Sequence, residues 1–209
     1  MNTKKLKPEE KIYYSFYTTR KESMYFSEIR RIAGMSISSL QNVLLKMEKN
    51  KEIEKKKEKA NTFYCLKNKE FIGLNFAKFD ILKIDELNLD VRLPVKEFIE
   101  KIPRQIAFVL LFGSASRKEE KKGSDIDLLV VLDKFENFKL QEQYEKEVKK
   151  EINETKKKVD AKSLYPLSIL SVNEKEFFER KDYLLDEAKK GFCIFNQSQY
   201  YKDLENENR

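Results

Sequence analysis

Two aspartates separated by one residue, Asp125 and Asp127, follow the pair Gly113-Ser114 after ten intervening residues. Carboxylate oxygens are the ligands that hard divalent cations prefer. A glycine lets the backbone approach a bulky ligand closely. The Ser114 hydroxyl and the amides after it can hold phosphate oxygens, helped by any short helix that starts here. The residue types therefore predict a site for a divalent cation and a phosphate-bearing ligand.

Cationic side chains lie between the two motifs, at Arg117, Lys121 and Lys122. Guanidinium and ammonium groups form strong charge-assisted hydrogen bonds with phosphate, so these residues can neutralise further phosphate charge. The chain contains no histidine. This excludes Ser-His-Asp and Cys-His catalysis in their usual form and removes the commonest zinc ligand. Cys65 and Cys193 form no CxxC pair, and we expect ordinary buried thiols.

Two apolar runs bracket these motifs and predict the strands that position them. Residues Ile106 to Phe112 form a continuous apolar run, typical of a strand buried on both faces. A second buried strand is predicted between Gly123 and Leu132. Because alternate residues of a strand project from one face, Asp125 and Asp127 should point the same way, about 7 Å apart at the backbone.

The stretch LFGSASRKEEKKGSDIDLLVVL resembles the G-S-x10-D-x-D signature of minimal nucleotidyltransferases of the polymerase-beta superfamily. The resemblance covers about residues 93 to 195. It implies a mixed sheet flanked by helices, two Mg²⁺ ions held by Asp125 and Asp127, and transfer of a nucleoside monophosphate from an NTP, expected to be ATP, to an acceptor hydroxyl. The nucleotide-binding residues that it implies are Gly113, Ser114, Arg117 and Ser124.

The same family uses a third carboxylate, from a later strand, to hold the catalytic metal. The next strand-like run here, Leu167 to Val172, contains no aspartate or glutamate. Asp160 is the nearest candidate upstream and Glu174 the nearest downstream, and we expect Asp160 to serve as the third catalytic carboxylate. The alternative is that both are solvated loop charges. The domain would then be slow or would only bind nucleotide.

The positive charge of the chain is concentrated at its N-terminus. Residues 1–75 contain 17 Lys+Arg and 9 Asp+Glu, a balance of +8, and the remainder contains 26 and 27, a balance of −1. A basic module on a near-neutral body favours a polyanion partner for that module. The alternative is a composition rich in lysine and glutamate throughout, as in proteins of heat-adapted organisms.

Three helices and a hairpin are predicted within residues 8 to 70. The first helix begins at Pro8, the second ends at Gly34, and Ser36 caps the third, which runs to Lys49. Two strands follow between Ile53 and Leu66, around a charged turn near residues 57–61. This order resembles a winged helix-turn-helix domain, whose third helix enters the major groove of DNA and whose hairpin touches phosphates.

The resemblance to a winged helix implies two groups of nucleic-acid contacts. The third helix carries polar side chains suited to base edges, and the hairpin carries lysines suited to phosphates. The predicted contacts are Ser38, Ser39, Gln41, Asn42, Lys46, Lys55, Lys56 and Lys57. The alternative is a winged helix that serves only for protein contact or dimerisation.

The predicted organisation is a winged helix-turn-helix domain over residues 1–75, a linker over 76–92 and a nucleotidyltransferase domain over 93–209. The fold class is α+β or α/β. The longest apolar run is too short to span a bilayer, and no secretory signal is present. We therefore expect a soluble cytoplasmic protein.

Two functions follow from these patterns. The first is a Mg²⁺-dependent nucleotidyltransferase whose acceptor is a protein tyrosine or serine, a nucleic-acid 3′ end or a small molecule. Many minimal nucleotidyltransferases resemble antitoxins that modify a paired HEPN-domain toxin, so such a protein is one candidate partner. The second function is a DNA-binding transcriptional regulator whose nucleotidyltransferase-like domain only senses nucleotide. A dimer is compatible with either.

Overall fold

The structure is a computed structural model that describes residues 5–58, 61–134 and 141–207. The chain divides into two compact units, Met1–Phe79 and Asp80–Arg209. No helix in the described ranges is both long enough and apolar enough to cross a membrane.

The first unit contains short helices and a small sheet. In chain order its elements are α1 (Pro8–Thr19), β1 (Ser23–Tyr25), α2 (Phe26–Ala33), α3 (Ile37–Lys49), β2 (Ile53–Glu58), β3 (Asn61–Leu66) and α4 (Lys69–Glu86), which runs past the boundary between the units.

The helix boundaries in this unit follow the local signals of the sequence. Proline opens α1 at Pro8. Gly34 ends α2 in the left-handed conformation, with φ of 61°. The Ser36 hydroxyl caps α3 by accepting a hydrogen bond from the Ser39 amide at 3.2 Å. The apolar side chains of these helices and of the neighbouring strands form the buried core of the unit. This core includes Ile12, Phe16, Met24, Ile29, Leu40, Leu44, Met47 and Ile53.

The sheet of the first unit is antiparallel, with strand order β1-β3-β2. The hairpin of β2 and β3 was predicted, whereas the three-residue strand β1 was not, because its apolar content is too short to give a pattern. Tyr25 of β1 packs on Phe63 of β3, with ring centroids 4.3 Å apart. The segment predicted as a linker, residues 76–92, is described mostly as helix, in α4 and in the helix that follows it.

The second unit is built on a four-stranded sheet. Its elements are α5 (Leu89–Lys101), β4 (Ile106–Phe112), α6 (Gly113–Ser116), β5 (Ile126–Leu132), α7 (Gln141–Asp160), β6 (Leu167–Asn173), α8 (Glu174–Glu179), α9 (Tyr183–Lys189), β7 (Phe192–Phe195) and α10 (Gln197–Glu207). The strand order is β6-β5-β4-β7. Strand β4 is antiparallel to both its neighbours and β5 is parallel to β6, so the predicted mixed sheet is confirmed.

Two apolar layers cover this sheet. On one face, here called face A, Ile126, Leu128 and Val130 of β5 pack with residues of α5 and α7. On the other, face B, Leu129 and Val131 pack with residues of α8, α9 and α10. The alternation along β5 assigns every second residue to each face. Asp127 therefore belongs to face B.

Candidate active site

Gly113 and Asp127 meet where β4 ends. The strand register pairs Phe112 with Asp127, which places the aspartate beside the first residue after β4. Gly113 has a φ of +67°, and a Cβ at this position would lie 2.1 Å from Oδ2 of Asp127. A side chain at residue 113 would therefore collide with the carboxylate. The glycine allows the backbone turn and the Asp127 carboxylate to share one small space.

The short helix α6 follows directly and begins at Gly113. The hydroxyl of Ser116 donates to the Gly113 carbonyl at 2.8 Å, which holds the turn closed. The first amides of any helix have no partner within it. Because Ser114 and Ala115 lie in this first turn, their amides are available in principle to phosphate oxygens beside Asp127.

Asp125 and Asp127 differ in environment. Asp125 is exposed just before β5, whereas Asp127 is half-buried within it. Burial raises the pKa of Asp127, the nearby charge of Asp125 raises that pKa further, and a hydrogen bond from the Ser168 side chain lowers it. The two carboxylates repel each other, and a bound cation would relieve this repulsion.

The loop between α6 and β5 holds the remaining predicted nucleotide-binding residues. The Nε of Arg117 donates to Glu119 at 2.7 Å, and both side chains are largely exposed. An exposed ion pair is weak, about 0–1 kcal/mol, so a phosphate can displace Glu119. Ser124 closes a turn instead, since its hydroxyl accepts from the Lys121 amide at 2.9 Å and its amide donates to the Lys121 carbonyl at 2.8 Å.

Two contacts that the sequence pattern did not indicate hold this loop to the rest of the unit. The Asn88 side-chain amide donates to the Glu120 carboxylate. The Lys118 ammonium lies 3.5 Å from the Glu86 carboxylate. These residues precede the strands by many positions, and no motif joins them. Together they fix the segment that leads from the Gly-Ser turn to Asp125.

Asp160 contacts the start of β6, and among the described residues it forms no group with Asp125 and Asp127 that could hold a metal ion. It is the last residue of α7, where it forms an ion pair with Lys156 and accepts a hydrogen bond from the Leu167 amide at 2.8 Å. Helix α7 packs on face A, whereas Asp127 belongs to face B. The structure thus engages Asp160 at the start of β6 and does not bring it to the predicted catalytic group.

Glu174, the other candidate third carboxylate, lies at the opposite end of β6. In the parallel register Asp127 pairs with Ser168 near the start of β6, whereas Glu174 follows its last residue. Burial raises the pKa of Glu174, and the charges of Asp203 and Asp133 raise it further. Glu174 therefore belongs to a different acidic group.

The donor set suits a small hard cation. Mg²⁺ is usually bound through one or two carboxylates, with water and substrate phosphates completing its shell. Asp125 and Asp127 provide the carboxylates, and Gly113 lets the backbone approach the Asp127 carboxylate closely. Within the described ranges, no three acidic, cysteine or histidine side chains gather in a way that could hold a metal ion. These residues therefore fit one divalent cation whose shell is completed by water or by the oxygens of a ligand.

The side chains of α3 that are predicted to contact nucleic acid are exposed, and one of them, Lys46, forms an ion pair. Ser38, Ser39, Gln41 and Asn42 are all exposed on this helix. The Lys46 ammonium lies 2.6 Å from Glu9 of α1, and this hydrogen bond lowers the pKa of Glu9.

The predicted contacts on the hairpin lie along β2, which is an edge strand. Lys55, Lys56 and Lys57 are exposed there. Lys56 lies 4.0 Å from Glu54, which is closer to Lys67 at 2.9 Å. The middle of the predicted charged turn, residues 59 and 60, lies outside the described residues. An exposed row of lysines on an edge strand also discourages pairing with another sheet.

Comparison with known proteins shows one similarity, which lies in the second unit. No curated protein matches the chain. The family model described as the nucleotidyltransferase domain matches residues 93–190, from α5 through α9. That segment contains Gly113, Ser114, Arg117, Asp125 and Asp127, so the candidate site lies inside the matched region. Residues 93–190, which are 98 of the 209 residues, are therefore similar to the nucleotidyltransferase domain, a family that generally uses an NTP and a divalent metal ion.

Proposed function

We propose that the second unit is a Mg²⁺-dependent nucleotidyltransferase that transfers a nucleoside monophosphate from an NTP to an acceptor hydroxyl. The observation that carries this proposal is the contact between Gly113 and Asp127. It puts a tight backbone turn and a half-buried carboxylate side by side, within the segment that matches the family model. A divalent cation held by Asp125 and Asp127 would neutralise phosphate charge and polarise the phosphorus centre.

The proposed roles of the residues follow from their positions. Asp125 and Asp127 hold the cation, and the amides after Gly113 hold the β- and γ-phosphates. Arg117 exchanges Glu119 for a phosphate oxygen. The acceptor oxygen attacks the α-phosphorus in line, the bond to the pyrophosphate oxygen breaks, and the acceptor proton leaves to solvent. Most of the catalysis on this account is positioning and charge neutralisation.

The decisive experiment follows label from each NTP, ATP first, with Mg²⁺, cell extract and RNA. Wild type is compared with Asp125→Ala/Asp127→Ala and with the control Glu147→Ala/Glu151→Ala, which removes two exposed carboxylates of α7. We expect transfer in wild type and control and none in the aspartate variant. The labelled species identifies the acceptor class, and a HEPN-domain protein is the first protein acceptor to test. Equal transfer in all three proteins would refute the assignment.

A second candidate function, DNA binding by the first unit, has its own support. The helix-strand-helix-helix-strand-strand order and the strand order β1-β3-β2 resemble a winged helix. The polar side chains of α3 and the lysines of β2 are exposed. On this reading the chain is a regulator whose second unit senses nucleotide. Nucleotide binding without transfer to any acceptor would favour this function over the enzyme.

A further inference from the structure

A serine occupies the strand position beside Asp127. In the parallel register of β5 and β6, Asp127 pairs with Ser168, and paired strands lie about 4.8 Å apart. Leu167 and Ile169 pack on face A, whereas Leu170 and Val172 pack on face B, so the alternation along β6 assigns Ser168 to face B with Asp127. The register therefore places the Ser168 hydroxyl beside the Asp127 carboxylate, where it can donate a hydrogen bond.

The chemistry of residue 168 decides how many carboxylates the site contains. A carboxylate there would stand across from Asp127 and join it and Asp125 in one group of three. With serine, the described residues form no such group. Two carboxylates can serve one octahedral cation together with water and phosphate, but they leave a second cation without a ligand of its own.

A hydrogen bond from the Ser168 hydroxyl would also restrict the orientation of the Asp127 carboxylate. A carboxylate with one oxygen bound to a hydroxyl donor has less rotational freedom, and its other lone pairs remain for a cation. Groups that hydrogen-bond to metal ligands in this way typically change metal affinity by about 10–100-fold. Because Ser168 is exposed to solvent, we expect the lower end of that range.

We propose that Ser168 is a positioning residue that orients the Asp127 carboxylate, and that serine at this position limits the site to one tightly held divalent cation. This inference rests on the proposed function, since it takes Asp125 and Asp127 as the cation ligands. It assigns a role to a residue without formal charge that neither of the two sequence motifs contains.

The orienting role is tested by titrating Mn²⁺ into the full chain without nucleotide and counting free Mn²⁺ by electron paramagnetic resonance. Ser168→Ala should weaken Mn²⁺ binding about tenfold, whereas Ser168→Thr, which keeps the hydroxyl, should bind like wild type. The control Ser171→Ala removes a hydroxyl from the same strand at the position paired with Val130. If Ser168→Ala binds Mn²⁺ as tightly as Ser171→Ala, the role is overturned.

The limit on cation number is tested by the same titration on Ser168→Asp. Wild type should bind one Mn²⁺ tightly and Ser168→Asp should bind two. Two tight ions in wild type, or one in Ser168→Asp, would overturn the limit. Asp125→Ala/Asp127→Ala separates this inference from the proposed function. If that variant binds Mn²⁺ like wild type, the proposed site itself is wrong. If it loses Mn²⁺ while Ser168 variants behave like wild type, only this inference fails.

Discussion

At the level of single residues, the candidate site depends on its small residues, Gly113 and Ser168, as much as on its charged ones. Gly113 gives Asp127 the volume that a Cβ would take, and Ser168 stands where a larger or charged side chain would change the donor set. Asp127 is held in a half-buried position although burial opposes its charged form. Such an arrangement is expected where function is favoured over stability.

Gly113→Ala tests the first of these features. The substitution combines an unfavourable left-handed backbone, about 1–2 kcal/mol, with a Cβ 2.1 Å from Oδ2 of Asp127. Gly123→Ala is the matched control, because Gly123 has a φ of +88° and nothing within 4 Å of its Cβ position. We expect both variants to lose stability in thermal unfolding, and only Gly113→Ala to lose nucleotide and Mn²⁺ binding. Equal binding by the two variants would contradict the shared-space argument.

At the level of helices and strands, β6 is placed by a contact from the helix before it. The carboxylate of Asp160 ends α7, pairs with Lys156 and accepts from the Leu167 amide, so it joins the end of the helix to the first residue of the strand. The register that brings Ser168 to Asp127 starts at Leu167. A residue outside the site thus sets the strand position on which the site depends.

Substitution of Asp160 separates this structural role from the catalytic role predicted from sequence. Asp160→Ala removes the ion pair and the acceptor for the Leu167 amide, and should lower the free energy of unfolding by about 1–3 kcal/mol. Asp160→Asn keeps an acceptor oxygen and should lower it less. Folded Asp160→Asn should retain NMP transfer and Mn²⁺ binding. Loss of transfer in a stably folded Asp160→Asn would restore Asp160 as a catalytic residue.

The elements were predictable from sequence wherever a local signal defines them. The run at Ile106–Phe112 is a strand as expected, and α3 begins at its Ser36 cap. Ser168 could not be found this way, because its role comes from strand pairing across about forty residues of chain, and pairing leaves no local pattern. For the same reason sequence alone favoured Asp160, the nearest acidic residue upstream of the strand.

A second acidic group, at the far end of the sheet, has consequences for stability rather than for the site. Burial raises the pKa of Asp133, Glu174 and Asp203, and their mutual repulsion contributes to the shifts of Asp133 and Glu174. Lys134 and Lys202 oppose the shifts in part, at Glu174 and Asp203 respectively. An acid whose folded-state pKa is raised binds its proton more readily when folded, so it destabilises the fold at pH values above that pKa. This destabilisation declines as the pH falls through that pKa and is gone below the unfolded-state pKa.

Asp203→Asn should therefore raise the melting temperature at neutral pH, by roughly 2–4 °C if the gain is about 1 kcal/mol. The gain should shrink as the pH falls through the raised pKa, because wild-type Asp203 then becomes neutral as well. Glu142→Gln is the contrast, since an ion pair with Lys146 lowers the pKa of Glu142. It should slightly lower the melting temperature at neutral pH. A gain for Asp203→Asn that is independent of pH would contradict the electrostatic explanation.

Over the entire chain, charge and chemistry are divided between the two units. The excess of positive charge lies within residues 1–75, whereas the carboxylates of the candidate site and the family match lie in the second unit. Each unit has its own core and its own sheet. The two proposed functions therefore depend on different residues, and substitutions that test one function should leave the other intact.

Charge reversal on the edge strand tests the DNA-binding function. Lys55→Glu/Lys57→Glu inverts two exposed lysines that alternate along β2 and so project from one face. If both contact phosphates, affinity for duplex DNA should fall, and the slope of log K against log salt should become shallower by about 2. Asp125→Ala/Asp127→Ala should leave DNA affinity unchanged. The measurement is DNA-binding anisotropy over a salt series. A wild-type affinity and slope in the lysine variant would remove the hairpin from the interface and leave the exposed polar face of α3 as the surface to test.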